Sequence, residues 1–332
     1  MSQTEGNLCP GQQVPGTLLD FIRDGRKFLI VGHKEPDGDC LGSQLALASI
    51  LRRMDKEALL CSAGPFKRTE IKDLQPLFTS TPVIEGAEYV IVVDCSTLDR
   101  TGDMESCLKG LPMAVIDHHG AGETRTNSAI GPCYIDVKAP STTFMVVKLI
   151  EALGLELNKE EAEFLFFGLC TDTGFFRHVD GNGAGTFEVA ASLIRCGANP
   201  KVAYLAIYGG KSLDSRRLMG HVLIKTESFF DGKLVMGFEE YEETCRFGLE
   251  GRDSDSLYQL LQSVAGVEAI VIIRQETHEN CTVGLRSRFC VDVGRIAANF
   301  GGGGHMNAAG FSAIGSIAEL KQKLILAFKD VL

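Results

Sequence analysis

The sequence predicts an α/β protein with a parallel-sheet domain, a helical connector and a smaller α+β domain. Its 332 residues suffice for two domains of roughly 100 to 200 residues, each with its own core. The first half alternates short β-branched runs with stretches of helical periodicity, which is typical of a parallel sheet. Residues 186–226 show a helical pattern interrupted by Gly197, Pro200 and Gly209, so we place the interdomain connection there.

Short apolar runs mark the predicted strands. In the first half they are residues 27–32 (KFLIVG), ALLCS from Ala58, YVIVVD ending at Asp94, and MAVID ending at Asp117. The first run is followed by a loop and the predicted helix LGSQLALASILRRM; STTFMVVKLIEALG and KEEAEFLFFGLC are two further helices, and Gly154 ends the first of these two. The second half offers the strands LVMGFE, EAIVIIRQ and TVGLRSR, with helices around SDSLYQLLQSV and VGRIAANF. This pattern predicts a smaller mixed sheet.

Composition and charge exclude several classes of protein. With 45% hydrophobic and 23% charged residues, the chain has an ordinary globular balance, so a disordered protein is excluded. A formal net charge of −10 argues against binding of long duplexes, although a small phosphorylated substrate remains compatible with it. The 11 cysteines are scattered without a C-x-x-C pair, which argues against a disulfide framework or a zinc ribbon.

The chain carries no sequence signal for a membrane or for export. Its apolar runs are far shorter than the ~20 residues of a membrane helix. The N-terminus lacks the basic start and the apolar stretch of a signal peptide. We therefore expect a cytoplasmic protein with no membrane partner.

Carboxylates and histidines gather at the ends of the predicted elements, where open α/β sheets bind their ligands. They form four clusters: His33, Asp37 and Asp39 in one loop; Asp94; Asp117, His118 and His119; and Asp172. Each cluster has a structural alternative, because P-D-G-D is a common turn sequence and an aspartate after a strand often caps a helix. Together they place five aspartates and three histidines in one domain, which indicates a functional site.

The composition of these clusters predicts the metal. Several carboxylates with few imidazoles and no thiolate suit Mn²⁺ or Mg²⁺, and the histidines favour Mn²⁺. So many anionic ligands indicate two metals that share a bridging carboxylate and a bridging hydroxide, roughly 3.5 to 4 Å apart. The predicted reaction is phosphoester hydrolysis.

Five motifs along the chain resemble, in order, those of the DHH phosphoesterase superfamily. They are GHKEPDGDCLGS, VVDCS, DHH, GLCTDTGFF and GGGGHMNAAG. The resemblance covers almost the whole chain and is closest to the branch of bifunctional oligoribonucleases and 3′-phosphoadenosine 5′-phosphate phosphatases, also called nanoRNases. It implies a DHH catalytic domain over residues 15–196, a helical connector over 197–226, and a DHH-associated substrate-binding domain over 227–332.

The resemblance also implies roles for the four clusters. One Mn²⁺ would be held by His33, Asp37 and Asp94. The other would be held by Asp39, Asp94, His118 and Asp172, so that Asp94 bridges the two ions. The residues given catalytic roles are His119, Asp94 and Asp117, and His119 would contact the scissile phosphate or the leaving group. Mg²⁺ is the alternative metal.

The second domain would bind the substrate through a glycine run and two arginines. Glycines let backbone amides approach a phosphate closely, and the next residue, His305, can add a hydrogen bond or stack on a base. Arg286 and Arg288 can grip a terminal phosphate, and two residues apart on a strand they face the same side. The glycines concerned are Gly302, Gly303 and Gly304. The alternatives are a flexible glycine loop and a solvated strand face.

Three further positions, Ser141, Cys40 and Cys95, have open alternatives. Ser141, in PSTTF, either contacts phosphate through its hydroxyl or simply caps a helix. Met306 departs from the family pattern, which has a polar residue after the glycine-run histidine. Cys40 and Cys95 follow the expected ligands Asp39 and Asp94, and they are either readily oxidised thiols or small residues packed in the core, of which we favour the second.

These expectations define a function. We expect a Mn²⁺-dependent exoribonuclease-type phosphodiesterase and phosphatase that hydrolyses oligoribonucleotides of about 2–5 nucleotides to mononucleotides, and phosphoadenosine phosphate to AMP. A soluble phosphodiesterase for cyclic or linear dinucleotides is the alternative, and a non-catalytic nucleotide sensor is the alternative from another class. The partners are therefore short RNA, phosphoadenosine phosphate or linear dinucleotides rather than long duplexes. A homodimer is left open.

Overall fold

The computed structural model describes residues 13–81, 88–119, 131–288 and 290–332. The chain divides into two compact units, Met1–Gly209 and Gly210–Leu332, which we call the first and the second unit. Among the described residues, no helix combines the length and the apolar character needed to span a membrane.

Within the described residues, the first unit contains a five-stranded parallel sheet. Its strands are β1 (Lys27–Val31), β2 (Glu57–Cys61), β3 (Tyr89–Val93), β4 (Met113–Asp117) and β5 (Cys133–Ile135). They pair in the order β2-β1-β3-β4-β5, and every pair is parallel. The central strands β1, β3 and β4 are almost wholly buried, as expected for a parallel sheet covered on both faces.

Helices cover this sheet and carry part of the site. They are α1 (Gly16–Asp24), α2 (Gly38–Arg53), α3 (Glu105–Leu108), α4 (Thr142–Ala152), α5 (Lys159–Asp172), α6 (Ala184–Arg195) and α7 (Pro200–Tyr208), with 3₁₀ helices at Thr69–Leu77 and Leu98–Met104. Helix α2 is the most enclosed, with buried residues along nearly its whole length. It crosses α5 closely because Gly42 faces the Phe164 backbone, where an added Cβ would lie 2.5 Å from the carbonyl oxygen.

The second unit is built on a mixed sheet. Its strands are β6 (Glu227–Phe229), β7 (Leu234–Glu239), β8 (Ala269–Gln275), β9 (Asn280–Ser287), β10 (Gly303–His305) and β11 (Ala308–Ile314). They pair in the order β10-β11-β9-β8-β7-β6, in which β7 and β8 run parallel and the other pairs run antiparallel.

Two groups of helices pack on this mixed sheet. The helices are α8 (Leu213–Ile224), α9 (Tyr241–Phe247), α10 (Ser254–Gln262), α11 (Val293–Ala298) and α12 (Ile317–Phe328), with a short 3₁₀ helix at Leu249–Gly251. Apolar residues of α8 and α10 form one core cluster with the sheet, and those of α11 and α12 form another. The sheet therefore has a core on each face.

The predicted fold class is confirmed, since a parallel-sheet unit precedes a smaller mixed-sheet unit. Strands β5, β6, β10 and β11 were not predicted; the first three have only three residues each, too few to show a pattern. The helical stretch 186–226 includes part of α6, then α7, which belongs to the first unit, and α8, which belongs to the second. The domain boundaries at residues 196 and 227 stay predictions.

Candidate metal centre and active site

The parallel sheet brings the site together at one edge. His33 lies two residues after β1, Asp94 directly follows β3, and Asp117 ends β4. Because these three strands are adjacent and parallel, their carboxyl ends meet at the same edge. Asp39 lies in the first turn of α2 and Asp172 ends α5, so the close crossing of the two helices brings both carboxylates to this edge.

One group at this edge consists of His33, Asp37 and Asp94. The Nε2 atom of His33 lies 3.3 Å from Asp94 Oδ2 and 3.9 Å from Asp37 Oδ1. The Nδ1 atom lies 2.8 Å from the Lys34 carbonyl oxygen, so Nδ1–H donates to that oxygen and Nε2 is left to bind a metal. Asp37 also caps α2, because its Oδ1 accepts from two backbone N–H groups.

The second group surrounds His118. Its Nε2 atom lies 3.0 Å from Asp172 Oδ2, 3.6 Å from Asp94 Oδ1 and 3.9 Å from Asp39 Oδ2. The Nδ1 atom is 3.3 Å from the Ala139 carbonyl oxygen, which orients the ring in the same way as in His33. The structure thus brings all the expected metal ligands into two neighbouring groups.

Asp94 belongs to both groups. Its Oδ2 faces His33 and its Oδ1 faces His118, so the two carboxylate oxygens point to different histidines. The side chain is almost fully buried, and Thr142 Oγ1 donates to Oδ1 over 2.9 Å. The backbone of Asp94 has a φ of 60°, a left-handed value that is uncommon for a residue other than glycine. The Asp94 carboxylate therefore faces both groups from a buried, hydrogen-bonded position.

The donor set fits divalent cations. His118 Nε2 is buried and forms no hydrogen bond with a described residue, because the Asp172 oxygen beside it lies outside hydrogen-bonding geometry. Burial, followed by the charges of Asp94 and Asp172, holds the pKa of Asp39 well above its ordinary value. Burial likewise raises the pKa of Asp94. Buried carboxylates that repel one another need a compensating positive charge, which a divalent cation supplies.

The neighbouring carboxylates raise the pKa of the histidine in each group. Burial lowers the pKa of His118, but Asp172 and the charge of Asp39 outweigh it and raise that pKa to about 9. The pKa of His33 is raised as well, since Asp37 and Asp94 outweigh its burial. The carboxylates around each imidazole therefore favour its protonated form.

Helix α4 supplies contacts that sequence reasoning missed. The backbone N–H groups of Thr142 and Thr143 donate to Asp39 Oδ2 and Oδ1 over 2.6 and 2.8 Å, and Thr143 Oγ1 donates to Oδ1 over 2.6 Å. The N-terminus of α4 therefore holds and orients Asp39. PSTTF was expected to place hydroxyls on phosphate or to cap a helix, whereas in the structure its threonine hydroxyls donate to aspartates.

Ser141 has the capping position. It is fully buried, its Oγ accepts from the Phe144 N–H over 3.0 Å, and it lies 2.8 Å from Thr143 Oγ1. The Ser141 hydroxyl therefore caps α4, whereas the neighbouring threonines contact the aspartates.

His119 is held by Asp117. The Asp117 Oδ1 atom accepts from the His119 backbone N–H over 3.1 Å and lies 2.8 Å from Nδ1. Asp117 is fully buried, whereas the His119 side chain is 40% exposed, compared with 15% for His118. Its Nδ1 is 3.5 Å from Asp94 Oδ1, so the ring lies beside the bridging carboxylate. This arrangement leaves Nε2 free of the Asp117 contact.

The two cysteines beside the site are buried core residues. Cys40 and Cys95 have no exposed surface, and Cys95 Sγ contacts the Val93 carbonyl oxygen. Burial raises the pKa of the Cys40 thiol to about 11 and that of Cys95 well above its ordinary value. Cys40 Sγ lies within 4.8 Å of ligand atoms of His33 and Asp94, so this thiol is buried but does not point away from the group. Burial of both residues agrees with the core alternative, and the oxidation hypothesis stays a prediction.

The expected substrate-binding residues lie in the second unit. The last two glycines of the run, Gly303 and Gly304, begin the exposed edge strand β10, and Gly302 directly precedes it. An added Cβ would lie 2.3 Å from the Gly310 oxygen at Gly302 and 2.4 Å from the Ala308 oxygen at Gly304, which also has a φ of 146°. Two of the glycines are thus needed for close pairing with β11, whereas Gly303 meets nothing within 4 Å. His305 ends β10 and is exposed.

The two arginines differ in their surroundings. The Arg286 guanidinium lies 4.6 Å from the Tyr258 ring centroid, and its Nη1 atom donates to the Leu285 carbonyl oxygen. Arg288 lies one residue past β9, is exposed, and donates to the Gln262 carbonyl oxygen. Alternate residues of β9 are buried from Cys281 to Ser287, so the positions of Arg286 and Arg288 continue the less buried side, as predicted.

Comparisons with known proteins identify the class. The model of the DHH family, N-terminal domain, matches residues 27–169, and that of the DHHA1 domain matches residues 235–332. The bifunctional oligoribonuclease and PAP phosphatase NrnA of Thermus thermophilus is 33% identical over 288 residues, covering 85% of this chain and 82% of that protein. The chain therefore belongs to the DHH family, and it is a phosphoesterase of the hydrolase class.

Two further relatives extend the comparison. The cyclic-di-AMP phosphodiesterase GdpP of Geobacillus thermodenitrificans is 26% identical over 94% of this chain, which spans 49% of that protein. An exopolyphosphatase-related protein from Bacteroides fragilis has the same fold, with a TM-score of 0.78, 24% identity and 94% of each chain covered. The two-unit architecture is therefore that of a solved structure.

Proposed function

We propose that this protein hydrolyses oligoribonucleotides of about two to five nucleotides to mononucleotides, and 3′-phosphoadenosine 5′-phosphate to AMP, with two Mn²⁺ ions. The observation that carries the proposal is the division of the Asp94 carboxylate between the His33 and His118 groups, as a two-metal site requires. Similarity to a protein named for both activities supports the choice of substrates.

The two groups would hold one ion each. His33, Asp37 and Asp94 would hold the first; Asp39, Asp94, His118 and Asp172 would hold the second. Bound there, the ions would polarise the phosphoester and supply a nucleophile derived from water. The threonines of α4 keep Asp39 and Asp94 in place through hydrogen bonds. The imidazole ligands favour Mn²⁺ over Mg²⁺.

His119 acts on the substrate. Because Asp117 accepts from its Nδ1–H, the ring presents Nε2 away from that contact. A protonated His119 can then donate Nε2–H to a phosphate oxygen or to the leaving group. Asp117 orients His119 and stabilises its positive charge.

The second unit supplies the groups for the rest of the substrate. Arg286 and Arg288 bind a terminal phosphate, since guanidinium groups match its geometry. A phosphate can approach the backbone of Gly302 and of the exposed strand β10, which contains Gly303 and Gly304. His305 hydrogen-bonds to the substrate or stacks on a base.

A second candidate function is hydrolysis of cyclic or linear dinucleotides. The observation that favours it is the 26% identity to a cyclic-di-AMP phosphodiesterase over nearly the whole of this chain. The same two-metal geometry serves both substrates, so the difference between them lies in how the substrate is bound.

Initial rates decide between these functions. After chelation, the protein is supplied with Mn²⁺ or Mg²⁺ and given an RNA dinucleotide, phosphoadenosine phosphate or cyclic-di-AMP. We expect turnover of the first two, faster with Mn²⁺, and none in excess chelator. Faster turnover of cyclic-di-AMP favours the second candidate. Tight nucleotide binding without turnover indicates the non-catalytic sensor, and full activity in excess chelator contradicts the metal site.

A further inference from the structure

A cavity of about 450 Å³ lies at the carboxyl end of β2. One wall is the segment that follows β2, beginning at Ser62. Another is the 3₁₀ helix Thr69–Leu77, which contributes Lys72 and Gln75. The segment after this helix returns alongside β2, where Ser62 N–H donates to the Thr79 carbonyl oxygen over 3.0 Å. The metal ligands described above do not line this cavity.

The lining combines aromatic, polar and cationic groups. Phe66 and Phe78 lie with ring centroids 5.7 Å apart and form the apolar part. Ser62 and Ser80 contribute hydroxyls, Gln75 an amide and Lys72 an ammonium group. Among the described residues, the lining contains no carboxylate, although the chain has a net charge of −10. The volume falls within the range of roughly 300 to 1,000 Å³ that is usual for small-molecule sites.

Backbone hydrogen bonds attach this cavity to the metal-binding loop. The Glu35 N–H donates to the Gly64 carbonyl oxygen over 2.8 Å, and Gly64 lines the cavity. Glu35 is two residues from His33 and two from Asp37, and two residues span at most about 7 Å. A Lys67–Glu35 ion pair at 2.6 Å joins the same two segments. The cavity wall therefore reaches the loop that carries two of the metal ligands.

We propose that this cavity binds one nucleoside of a dinucleotide substrate. The inference rests on the proposed function. The base packs against Phe66 and Phe78, the Gln75 amide pairs with polar atoms on its edge, and Lys72 meets a phosphate. Stacking on aromatic side chains tolerates any base, because every base has a π-face.

The lining favours a nucleoside over simpler ligands. A bare phosphate would use Lys72 but not the two aromatic rings, whereas an uncharged aromatic compound would not need the ammonium group. A ligand that joins an aromatic ring, hydrogen-bonding edges and an anionic group matches the whole lining. The Glu35–Gly64 hydrogen bond joins the cavity wall to the loop that carries His33 and Asp37, and we therefore assign the next nucleoside of the substrate to this cavity.

A double-mutant cycle between protein and substrate tests this inference. The substrates are a 5′-phosphorylated RNA dinucleotide and its two counterparts that lack one base or the other. The variants are Gln75→Ala and Phe78→Leu, each assayed with Mn²⁺ on all three substrates. We expect removal of one of the two bases to raise KM about tenfold for the wild type. That penalty should shrink to about twofold in the variants, because the base no longer has its partner.

The control is Lys201→Ala, which removes an exposed lysine on α7, for comparison with Lys72→Ala. Lys72→Ala should raise KM for the intact dinucleotide, and Lys201→Ala should leave it unchanged. Thermal unfolding of each variant shows whether it is folded. Gln75 and Lys72 are exposed, so their variants still test the cavity if the change at the partly buried Phe78 destabilises the protein.

The outcomes separate the two proposals. If the wild type cleaves the dinucleotide but the base-removal penalty is the same in the variants, the cavity inference is wrong and the proposed function stands. If both base penalties are absent in the wild type, the inference is also wrong. If the wild type does not cleave the dinucleotide at all, the proposed function fails and the inference fails with it.

Discussion

At the residue scale, Asp94 is the position on which both metal groups depend. Asp94→Ala should lower kcat by more than about 100-fold, because both ions lose a ligand. His305→Ala, in the second unit, should instead raise KM about tenfold with little change in kcat, since one hydrogen bond to the substrate of about 1.5 kcal/mol is lost. Steady-state kinetics on an RNA dinucleotide measure both effects.

A matched control for this comparison is His278→Ala, which removes an exposed histidine in contact with Tyr241. Its kinetic constants should equal those of the wild type. A collapse of kcat with unchanged KM in His305→Ala would place that histidine in the chemical step and contradict our division of roles.

Thr143 positions a ligand without touching a metal. Thr143→Val keeps the shape of the side chain but removes the hydroxyl that donates to Asp39. Because partners behind a metal ligand orient it and tune its basicity, Mn²⁺ affinity should fall about 10- to 100-fold. Calorimetric titration of the chelated protein measures this loss. The control is Thr226→Val, which removes a hydroxyl that donates to the Val222 carbonyl oxygen at the end of α8. An equal loss there would refute the assignment.

At the element scale, the crossing of α2 and α5 brings Asp39 and Asp172 together. Gly42→Ala should force the helices apart, because the new Cβ would lie 2.5 Å from the Phe164 carbonyl oxygen. We expect a loss of about 1–3 kcal/mol in the free energy of unfolding and weaker Mn²⁺ binding. Denaturant unfolding and metal titration check the two effects.

Gly220→Ala is the matched control, since Gly220 lies within α8 and a Cβ there meets nothing within 4 Å. Alanine should stabilise that helix by up to about 1 kcal/mol. If Gly42→Ala were equally harmless, the close crossing would not be what positions the two carboxylates.

A second test at this scale concerns the ends of β7 and β8. Arg252 contacts both Glu239, which ends β7, and Glu276, which follows β8. Burial raises the pKa of Glu276, but Arg252 and Thr282 outweigh it, so that this pKa lies below its ordinary value of 4.5. A lowered carboxyl pKa stabilises the fold above the ordinary pKa, and that stability is lost as the pH falls through the folded-state value.

Glu276→Gln should therefore lower Tm by a few °C at pH 7, and the difference from the wild type should narrow below about pH 4. Thermal unfolding at both pH values measures it. Glu279→Gln, at an exposed position in the β8–β9 turn, should not change Tm. A difference for Glu276→Gln that persists unchanged at low pH would contradict the ionic origin of this stability.

At the scale of the whole molecule, charge limits the length of the substrate. With a net charge of −10, the chain supplies no basic track for additional phosphates. Turnover should therefore fall as the oligonucleotide lengthens beyond a few residues. Initial rates on an RNA dinucleotide and on a ~24-residue RNA give the comparison, and equal rates on the two would contradict this prediction.

Much of the fold and of the site could be predicted from the sequence. The apolar runs that end at Asp94 and Asp117 predict the buried strands β3 and β4, because strands covered on both faces need continuous apolar residues. The three-residue strands β5 and β10 could not be predicted, since so few residues show no period. The glycine run was expected as an anion-binding segment with a flexible loop as the alternative, and the structure shows an edge strand.

The sequence by itself determined the α/β class and the set of carboxylates and histidines that the structure brings together, because these depend on local patterns and on residue chemistry. Only the tertiary structure decided which Asp94 oxygen faces which histidine, and that Thr142 and Thr143 hold Asp39. Asp39 and Thr142 are 103 residues apart in the chain. Contacts over such separations arise from the packing of α2 against α4 and α5, which no local pattern specifies.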